Sequence, residues 1–245
     1  MKKNTDWDYT IVIPHYKTLE LTTLCVRCIN RFKRLKCEVI VIDNNPSDRS
    51  VDALRSIPNV RIISNYSAVS GVEAHKKALA LGVESAKTEW VFLFHSDTIP
   101  VKTGWDEEAL NLIEVNGAVG LTTTIRSVDP FDSFFSRLAR RIREHRTYFY
   151  VKSGPTNRKV MSYFFLVSKK YFSSEQIVND HGDVAVGLYK ALCMQGHIVV
   201  LAGRLFLNQY IWHSSNATTL LSGQISDRKS INRFFVKLER LEKEL

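Results

Sequence analysis

Residues 90–100, with the sequence WVFLFHSDTIP, decide how the fold of this chain is interpreted. The first five residues form an apolar run that is too short for a typical helix and rich in β-formers. They predict a strand buried on both faces, as in the middle of a parallel sheet. The run ends in the polar trio His95-Ser96-Asp97. In an extended segment, the first and third of these side chains point to the same side.

This polar trio is a candidate ligand site because of its place in the predicted sheet. In open α/β sheets, ligands bind just beyond the carboxyl ends of the strands. An imidazole and a carboxylate on one side can share a cation or a phosphate group. The alternative is a plain polar transition from strand to turn.

Strands and helices alternate through the first hundred residues. Apolar runs and helical periodicity predict these elements: strand 9–13, helix 17–32, strand 38–42, strand 60–63, helix 71–86 and strand 90–94. We expect Pro14 to end the first strand because proline lacks the N–H that the ladder needs. Strand–helix–strand units at this spacing predict right-handed crossovers and an α/β fold with a mostly parallel central sheet.

The second half of the chain is less regular. Its pattern predicts the following elements: helix 104–115, strand 118–122, strand 161–167, helix 181–194, strand 198–202, strand 206–211 and a basic amphipathic helix at about 225–245. No linker interrupts the chain, so we expect one domain over residues 1–245. Within it, about 1–100 would bind one ligand and about 101–220 a second.

Composition limits the partners and the compartment. The 245 residues carry 34 lysines and arginines against 25 acidic residues, a net charge of +9 that favours anionic partners. No apolar run approaches the roughly 20 residues that span a bilayer, and no secretion signal is recognisable, which predicts a cytoplasmic protein. The four cysteines show no disulfide spacing. Cys25 and Cys28 share the buried stripe of a helix; a zinc or redox pair is the alternative.

Two basic segments are candidate contact surfaces. Arginines and lysines dominate residues 137–159, and the last predicted helix is also basic. Such segments can lie on the anionic inner face of a membrane, hold a DNA backbone, or simply be solvated. The sequence does not choose among these three interpretations.

Five segments together resemble the family-2 glycosyltransferases, nucleotide-sugar-dependent enzymes of the GT-A fold with a Rossmann-like N-terminal half. The segments are, in the family's order, TIVIPHYKTLELTTLCVRCI, VIVIDNNPSD, SGVEAHKKALALGVESAKTEWVFLFHSDT, NDHGDVAVGLYKALCMQGHIVV and IWHSSNAT. They cover most of residues 9–220. The resemblance implies that about 1–100 form the half that binds the nucleotide-sugar donor and about 101–220 the half that binds the acceptor. The resemblance implies an inverting transferase that moves a sugar from a nucleoside diphosphate, most simply a UDP-sugar, to a hydroxyl acceptor.

The resemblance also implies which residues bind the donor. Asp43 matches the aspartate that accepts a hydrogen bond from a uracil-type base, with Asn44 beside it; a turn-capping role is the alternative. Pro14, His15 and Tyr16 match the neighbouring base-binding turn. Farther along, the helix that begins at Gly71 carries His75, Lys76 and Lys77 toward the diphosphate or ribose, unless they form a solvated face.

A divalent cation, Mn²⁺ or Mg²⁺, is implied by the same resemblance. His95, Ser96 and Asp97 stand where the family has Asp-x-Asp, and Asp97 matches its second aspartate. His213 matches a distal histidine that completes the site. His95 departs from the pattern, and nitrogen ligation favours Mn²⁺ over Mg²⁺.

Asp183 matches the aspartate that deprotonates the acceptor hydroxyl in inverting members. Gly182 stands where the family often has glutamate. Asp180 is a competing base, and a helix cap is the structural alternative for Asp183.

Two functions are consistent with these residues, and a third is excluded. The acceptor of a transferase would be a glycan, a lipid-linked glycan or, alternatively, a modified DNA base. A catalytically weak module that only binds sugar nucleotides is a second hypothesis, motivated by His95 and Gly182. A dinucleotide-dependent oxidoreductase fails because the turn PHYKT lacks the GxGxxG pattern.

Overall fold

A computed structural model describes most of the chain. The described residues are 6–46, 50–66, 71–124, 150–153, 160–173 and 184–213, with four further helical residues at 236, 239, 240 and 243.

Strands and helices alternate as the sequence predicts. The strands are β1 (Tyr9–His15), β2 (Cys37–Asp43), β3 (Val60–Ser64), β4 (Trp90–Phe94), β5 (Thr98–Pro100), β6 (Gly120–Thr122), β7 (Tyr150–Ser153), β8 (Phe164–Ser168), β9 (Ile198–Leu201) and β10 (Ile211–His213). The α-helices are α1 (Leu19–Phe32), α2 (Gly71–Ser85), α3 (Trp105–Val115), α4 (Val184–Met194) and α5 (Arg204–Tyr210). Two short 3₁₀ helices, Ser50–Ser56 and Lys169–Tyr171, complete the described elements.

Eight of the described strands form one sheet in the order β3-β2-β1-β4-β8-β6-β9-β7. Neighbours from β3 to β4 are parallel, β8 is antiparallel to both β4 and β6, and β9 is parallel to β6. Six of the eight strands therefore run in one direction, and β8 and β7 run in the opposite direction. The predicted α/β fold with a mostly parallel sheet is confirmed. The remaining two described strands, β5 and β10, form a small antiparallel pair.

Strand β4 lies between two apolar layers. Phe92 and Phe94 belong to the core layer that contains Ile29 of α1 and Trp105 of α3. Val91 and Leu93 belong to the opposite layer, with residues of α2 and α4. Because successive side chains of a strand alternate between its faces, an apolar run fits only a strand covered on both sides. The prediction from residues 90–94 is confirmed.

One close approach ties α2 to the sheet. A Cβ atom built on Gly82 would lie 2.2 Å from Cγ1 of Val12. The hydrogen atom of glycine is what lets this helix lie so close to β1.

A buried carboxylate anchors the other layer. Asp106, at the start of α3, accepts a hydrogen bond from the Tyr9 hydroxyl at 2.9 Å. It also accepts the backbone N–H groups of Arg34 and Leu35, both at about 3 Å. This carboxylate therefore joins β1, α3 and the loop after α1.

The first strand does not end at Pro14. Pro14 pairs in register with Ile42, and β1 continues to His15. The His15 carbonyl accepts the Asn44 N–H, so the backbone at Pro14 faces the other neighbour, β4. Pairing with β4 stops at Val12, so no ladder bond is lost at the proline.

The predicted strand over residues 206–211 is wrong. Residues Arg204–Tyr210 form helix α5, and only Ile211–His213 form a strand. Phe206 and Leu207 are buried while Gln209 is exposed, which fits a short helix covering the core. An apolar run of this length is ambiguous between helix and strand, and here the packing of a one-sided apolar face decides.

Several other predictions have mixed outcomes. All four cysteines are free and buried, as expected for core residues. Of residues 137–159 the structure describes the strand Tyr150–Ser153, and the arginine-rich part lies outside the described residues. The predicted C-terminal helix is described at four exposed positions only. Among the described residues, no helix is both long and apolar enough to cross a membrane. The division into a donor half and an acceptor half stays a prediction.

Candidate functional site

The candidate site lies at the carboxyl edge of the sheet, where β1, β2 and β4 end. His15 at the end of β1 is in register with Asp43 at the end of β2. The loop after β1 reaches the end of β4, where the Thr18 hydroxyl donates a hydrogen bond to Ser96 at 3.4 Å. The three strand ends thus meet at one edge, as the sequence predicts.

The trio after β4 forms a turn, not the extended segment predicted. The Thr98 N–H donates to the His95 carbonyl at 3.0 Å, which closes a four-residue turn. Thr98 then begins β5, which pairs with β10 so that Thr98 lies opposite His213. This pairing carries His213, distant in sequence, to the end of β4.

His95, Asp97 and His213 form one cluster. Each offers a ligand atom, and these three atoms lie within 4.8 Å of one another. Nε2 of His213 is 3.2 Å from Oδ1 of Asp97, and the His95 and His213 ring centroids are 5.9 Å apart. The structure therefore brings together the three residues that the sequence assigns to a cation.

Burial and the charges within the cluster shift the pKa values of Asp97 and His95. Burial alone would raise the pKa of Asp97, but the charge and hydrogen bond of His213, followed by the charge of His95, lower it below its ordinary value. Burial, followed by the neighbouring His75, lowers the pKa of His95 to about 3, although Asp97 acts in the opposite direction. At neutral pH the site therefore holds a carboxylate and a neutral His95 imidazole whose lone pair is available to a ligand.

Two aromatic contacts hold the histidine rings. Tyr163 stacks on His213, with ring centroids 4.0 Å apart and planes 13° apart. The Tyr163 carbonyl in turn accepts a hydrogen bond from the Thr98 hydroxyl at 2.8 Å. His75 of α2 packs edge-on against His95 at 5.0 Å. Sequence reasoning missed Tyr163, because nothing local marks a contact with a residue fifty positions later.

These residues fit a divalent cation. Two ligand atoms bound about 2.1 Å from one metal at tetrahedral or right angles lie about 3.0–3.4 Å apart, which matches the separation of Nε2 and Oδ1 above. In addition, Nε2 of His95 is buried and has no hydrogen-bond partner among the described residues. A buried nitrogen of this kind is what a ligand position requires.

The buried Asp43 side chain caps the turn that follows β2. Its Oδ1 accepts the Asn45 N–H at 2.9 Å. The side chain of Asn44 accepts a hydrogen bond from Asn65 at 2.7 Å, and the Asn65 N–H donates to the Asp43 carbonyl. The turn-capping role is therefore present, and a carboxylate has a second oxygen with which to meet a ligand.

In the turn after β1, the Tyr16 side chain is exposed to solvent and the His15 side chain is buried. His15 is fully buried, and its Nδ1 is 2.9 Å from the Thr22 hydroxyl. Tyr16 is 47% exposed, and the Lys17 ammonium lies 5.3 Å from its ring centroid. Pro14 belongs to the strand, so the accessible residue of the predicted base-binding turn is Tyr16.

Some of the remaining predicted residues are described by the structure, and others lie outside the described residues. Gly71 begins α2 with a φ of 64°, a conformation that favours glycine. Lys76 is buried and forms an ion pair with Glu73 at 3.1 Å, so it is not a solvated lysine. Asp183, Gly182 and Asp180 lie outside the described residues, and the base assigned to Asp183 stays a prediction.

Solved structures share this fold. TarS 1-349 of S. aureus in complex with UDP-GlcNAc matches with a TM-score of 0.61 at 11% identity, over 96% of this chain and 66% of that one. Its complex with UDP matches with a TM-score of 0.59 at 14% identity, over 84% and 60%. The mannosyltransferase PcManGT of Pyrobaculum calidifontis, in complex with GDP-Man and Mn²⁺, matches with a TM-score of 0.56 at 15% identity, over 82% and 56%.

These matches establish the fold alone, and it is the GT-A fold that the sequence predicts. The chain spans less than two thirds of the length of each of these solved structures. No curated protein sequence matches it. The sequence pattern of one family, described as glycosyl transferase family 2, matches residues 10–174, which is more than half of the chain. The chain therefore belongs to glycosyl transferase family 2.

Proposed function

We propose that this protein transfers a sugar from a nucleoside diphosphate, a UDP-sugar in the simplest case, to a hydroxyl acceptor with inversion at the anomeric carbon. The observation that carries the proposal is the cluster of His95, Asp97 and His213 at the carboxyl edge of a GT-A sheet. Glycosyl transfer leaves negative charge on the departing diphosphate, and a catalyst must stabilise that charge.

The strand spacing supports the placement of a nucleotide. Asp43 ends β2 and His95 follows β4, with β1 between them. Strands in a sheet are about 4.8 Å apart, so the two ends are separated by about 10 Å. That separation suits a nucleotide whose base meets Asp43 and whose diphosphate reaches Asp97. Tyr16 offers an exposed ring beside the base position.

Each described residue has a defined task in this proposal. Asp97 and His213 would hold a divalent cation, Mn²⁺ or Mg²⁺, with His95 as the third ligand. When bound, such a cation would supply Lewis-acid stabilisation of the charge on the leaving diphosphate. Tyr163 and His75 keep the two imidazoles oriented. Asp43 accepts the imide N–H of a uracil-type base. Gly71 and His75, at the start of α2, would face the ribose or the phosphates.

The acceptor side belongs to the same proposal. Asp183 would take the proton of the acceptor hydroxyl as that oxygen attacks the anomeric carbon, opposite the departing diphosphate. One displacement inverts the configuration. A glycan or lipid-linked glycan is the proposed acceptor, reached at an anionic membrane surface through the arginines of residues 137–159 and the C-terminal helix; a modified DNA base is the alternative.

Turnover and binding test the proposal together. The protein is incubated with UDP-GlcNAc, UDP-glucose or GDP-mannose and Mn²⁺, and release of free nucleotide is measured, with water as the hydroxyl acceptor where no other is added. We expect one donor to be consumed, and Asp97→Asn to lower the rate by about 100-fold or more while the protein stays folded. Asp52→Asn is the matched control, because Asp52 is an exposed aspartate on a 3₁₀ helix. If no nucleotide sugar is consumed and none raises the melting temperature, the transferase proposal is wrong.

A separate variant tests the base. Asp183→Asn should abolish transfer but leave donor binding unchanged, because the base acts on the acceptor and not on the nucleotide. If Asp183→Asn keeps full transfer activity, Asp183 is not the base, and Asp180→Asn becomes the variant to measure. The anomeric configuration of the product, read by nuclear magnetic resonance, decides inversion against retention.

A further inference from the structure

The candidate cation site is unusually rich in nitrogen. Within the described residues it combines two imidazoles, from His95 and His213, with the single carboxylate of Asp97. The resemblance to family 2 places His95 where the family pattern has an aspartate. In this chain a nitrogen donor therefore stands in place of an oxygen donor.

This exchange changes which cations the site prefers. Mg²⁺ takes oxygen ligands in near-octahedral geometry and binds nitrogen poorly. Imidazole suits iron, nickel, copper and zinc, while Mn²⁺ is closer to Mg²⁺ in its preference for oxygen. Affinity at nitrogen sites rises from Mn²⁺ through Fe²⁺ and Co²⁺.

One ligand atom from each of His95, Asp97 and His213 lies within 4.8 Å of the other two. Nε2 of His213 and Oδ1 of Asp97 are 3.2 Å apart; this contact is a hydrogen bond between them, and its length is also one that two ligands of a single cation can adopt when a cation replaces the shared proton. Nε2 of His95 has no hydrogen-bond partner in the described part of the chain, so no described bond must break there when a ligand arrives. His75 on one side and Tyr163 on the other restrict rotation of the two rings.

We propose that His95 and His213 make this a site for a nitrogen-binding cation of the Fe²⁺, Co²⁺ and Zn²⁺ class, with Mn²⁺ second and Mg²⁺ weakest. His95 is the residue that determines this order. The inference rests on the proposed function, which assigns a divalent cation to these three residues. Three protein ligands also leave coordination positions for diphosphate oxygens, as in other catalytic metal sites.

Direct binding of metal salts tests the order without any turnover. The full chain is titrated by calorimetry with CoCl₂, ZnCl₂, MnCl₂ and MgCl₂, and the visible absorption of bound Co²⁺ is recorded as a second readout. We expect Co²⁺ and Zn²⁺ to bind about 10-fold or more tightly than Mn²⁺, and Mn²⁺ more tightly than Mg²⁺. Loss of a nitrogen ligand should change the Co²⁺ absorption spectrum.

Two variants at His95 test its role. His95→Asp should lower the ratio of Co²⁺ to Mg²⁺ affinity by about 10-fold or more, since it restores an oxygen ligand. His95→Gln should weaken Co²⁺ binding by about 10-fold with little change for Mg²⁺. This variant tests the role of His95 if His95→Asp does not fold. The matched control is His197→Asp. His197 immediately precedes β9, so it lies at the amino ends of the parallel strands, away from the candidate site, and its ring centroid is 4.4 Å from that of Tyr171. The control should keep the wild-type order.

The outcomes separate this inference from the proposed function. If Mg²⁺ binds the wild-type protein as tightly as Co²⁺ does, the proposed cation selectivity is wrong. It is also wrong if no cation binds. In either case the proposal that the protein is a transferase stands as long as UDP-GlcNAc is still consumed. If folded His95→Asp keeps the wild-type ratio, His95 is not the determinant. If the cations bind in the expected order but no nucleotide sugar is bound or consumed, the selectivity is supported and the transferase proposal fails.

Discussion

Tyr163 and His213 lie face to face, with ring centroids 4.0 Å apart and planes 13° apart, although fifty residues separate them in the sequence. Tyr163 precedes β8, the neighbour of β4 in the large sheet, while His213 ends β10 in the small one. The stack therefore joins the two sheets at the candidate site. It fixes the plane of the imidazole whose Nε2 faces Asp97.

Replacing Tyr163 should weaken cation binding. Tyr163→Phe keeps the stacked ring and should bind Co²⁺ or Mn²⁺ nearly as the wild type does. Tyr163→Ala should lower the cation affinity by about 10-fold, the usual effect of removing a group that orients a metal ligand. It should also lower the free energy of unfolding by about 3 kcal/mol or more, because a buried ring is lost. Calorimetry on the folded fraction separates the two effects. Equal affinities for the alanine and phenylalanine variants would show that the stack does not orient His213.

Asp43→Asn separates base recognition from turn capping. An asparagine Oδ1 still accepts the Asn45 N–H, so the free energy of unfolding should fall by about 1 kcal/mol or less. An amide NH₂ cannot accept the imide N–H of uracil, so the affinity for UDP should fall by about 10- to 100-fold. Calorimetric titration with UDP checks this, with Asp52→Asn as the control. Unchanged UDP affinity would leave Asp43 as a turn residue only.

Gly82→Ala should destabilise the protein although alanine favours helices. The new methyl group would meet Cγ1 of Val12 at 2.2 Å, and overpacking of this kind costs about 1–3 kcal/mol. Val12→Ala removes the clashing atom, so the double variant should be more stable than the sum of the two single effects by about 1–2 kcal/mol. Urea unfolding of the four proteins measures this coupling. Strict additivity would mean that α2 does not pack on β1 through Gly82.

Stability at alkaline pH should depend on Tyr9. Burial, then the neighbouring Cys37 and Asp106, raises the pKa of Tyr9 well above its ordinary value. The folded state holds this proton more tightly than the unfolded state. The contribution of Tyr9 to stability is therefore complete below about pH 10 and falls by about 1.4 kcal/mol per pH unit above it.

The variant Tyr9→Phe isolates that effect. It should be less stable than the wild type at pH 7 by about 1 kcal/mol, because the hydrogen bond to Asp106 is lost. Between pH 10 and pH 11 the difference should shrink and then reverse. Unfolding curves of both proteins across this range give the comparison, and a difference that stays constant with pH would contradict the pKa argument.

Much of the fold follows from local sequence patterns. The bounds of β4 are those predicted, because a short apolar run between polar residues admits few alternatives. The predicted end of β1 at Pro14 is wrong, because a proline ends a strand only where its missing N–H would have formed a ladder bond, and β4 stops pairing with β1 before that position. The apolar run at residues 206–211 also fits either a helix or a strand. The structure forms a helix over residues 204–210, because tertiary packing buries only one side of this segment.

The sequence predicts which residues form the candidate site better than it predicts how they are arranged. His95, Asp97 and His213 were identified through their strand-end positions and the family resemblance. The turn that orients them was not, because the hydrogen bond from Thr98 to His95 follows from the pairing of β5 with β10. Tyr163 and the contact of His75 with His95 were missed, since no sequence period relates residues that meet only after folding.

One measurement tests the central claim most directly, namely that Asp43, His95, Asp97 and His213 serve a single nucleotide and its cation. Crystals of the protein grown with UDP and Mn²⁺ would be examined for the anomalous scattering of manganese. We expect one manganese peak within ligand distance of Asp97 and His213, about 2.0–2.3 Å, with the diphosphate beside it and the uracil at Asp43. Manganese and UDP bound away from these residues would contradict the account.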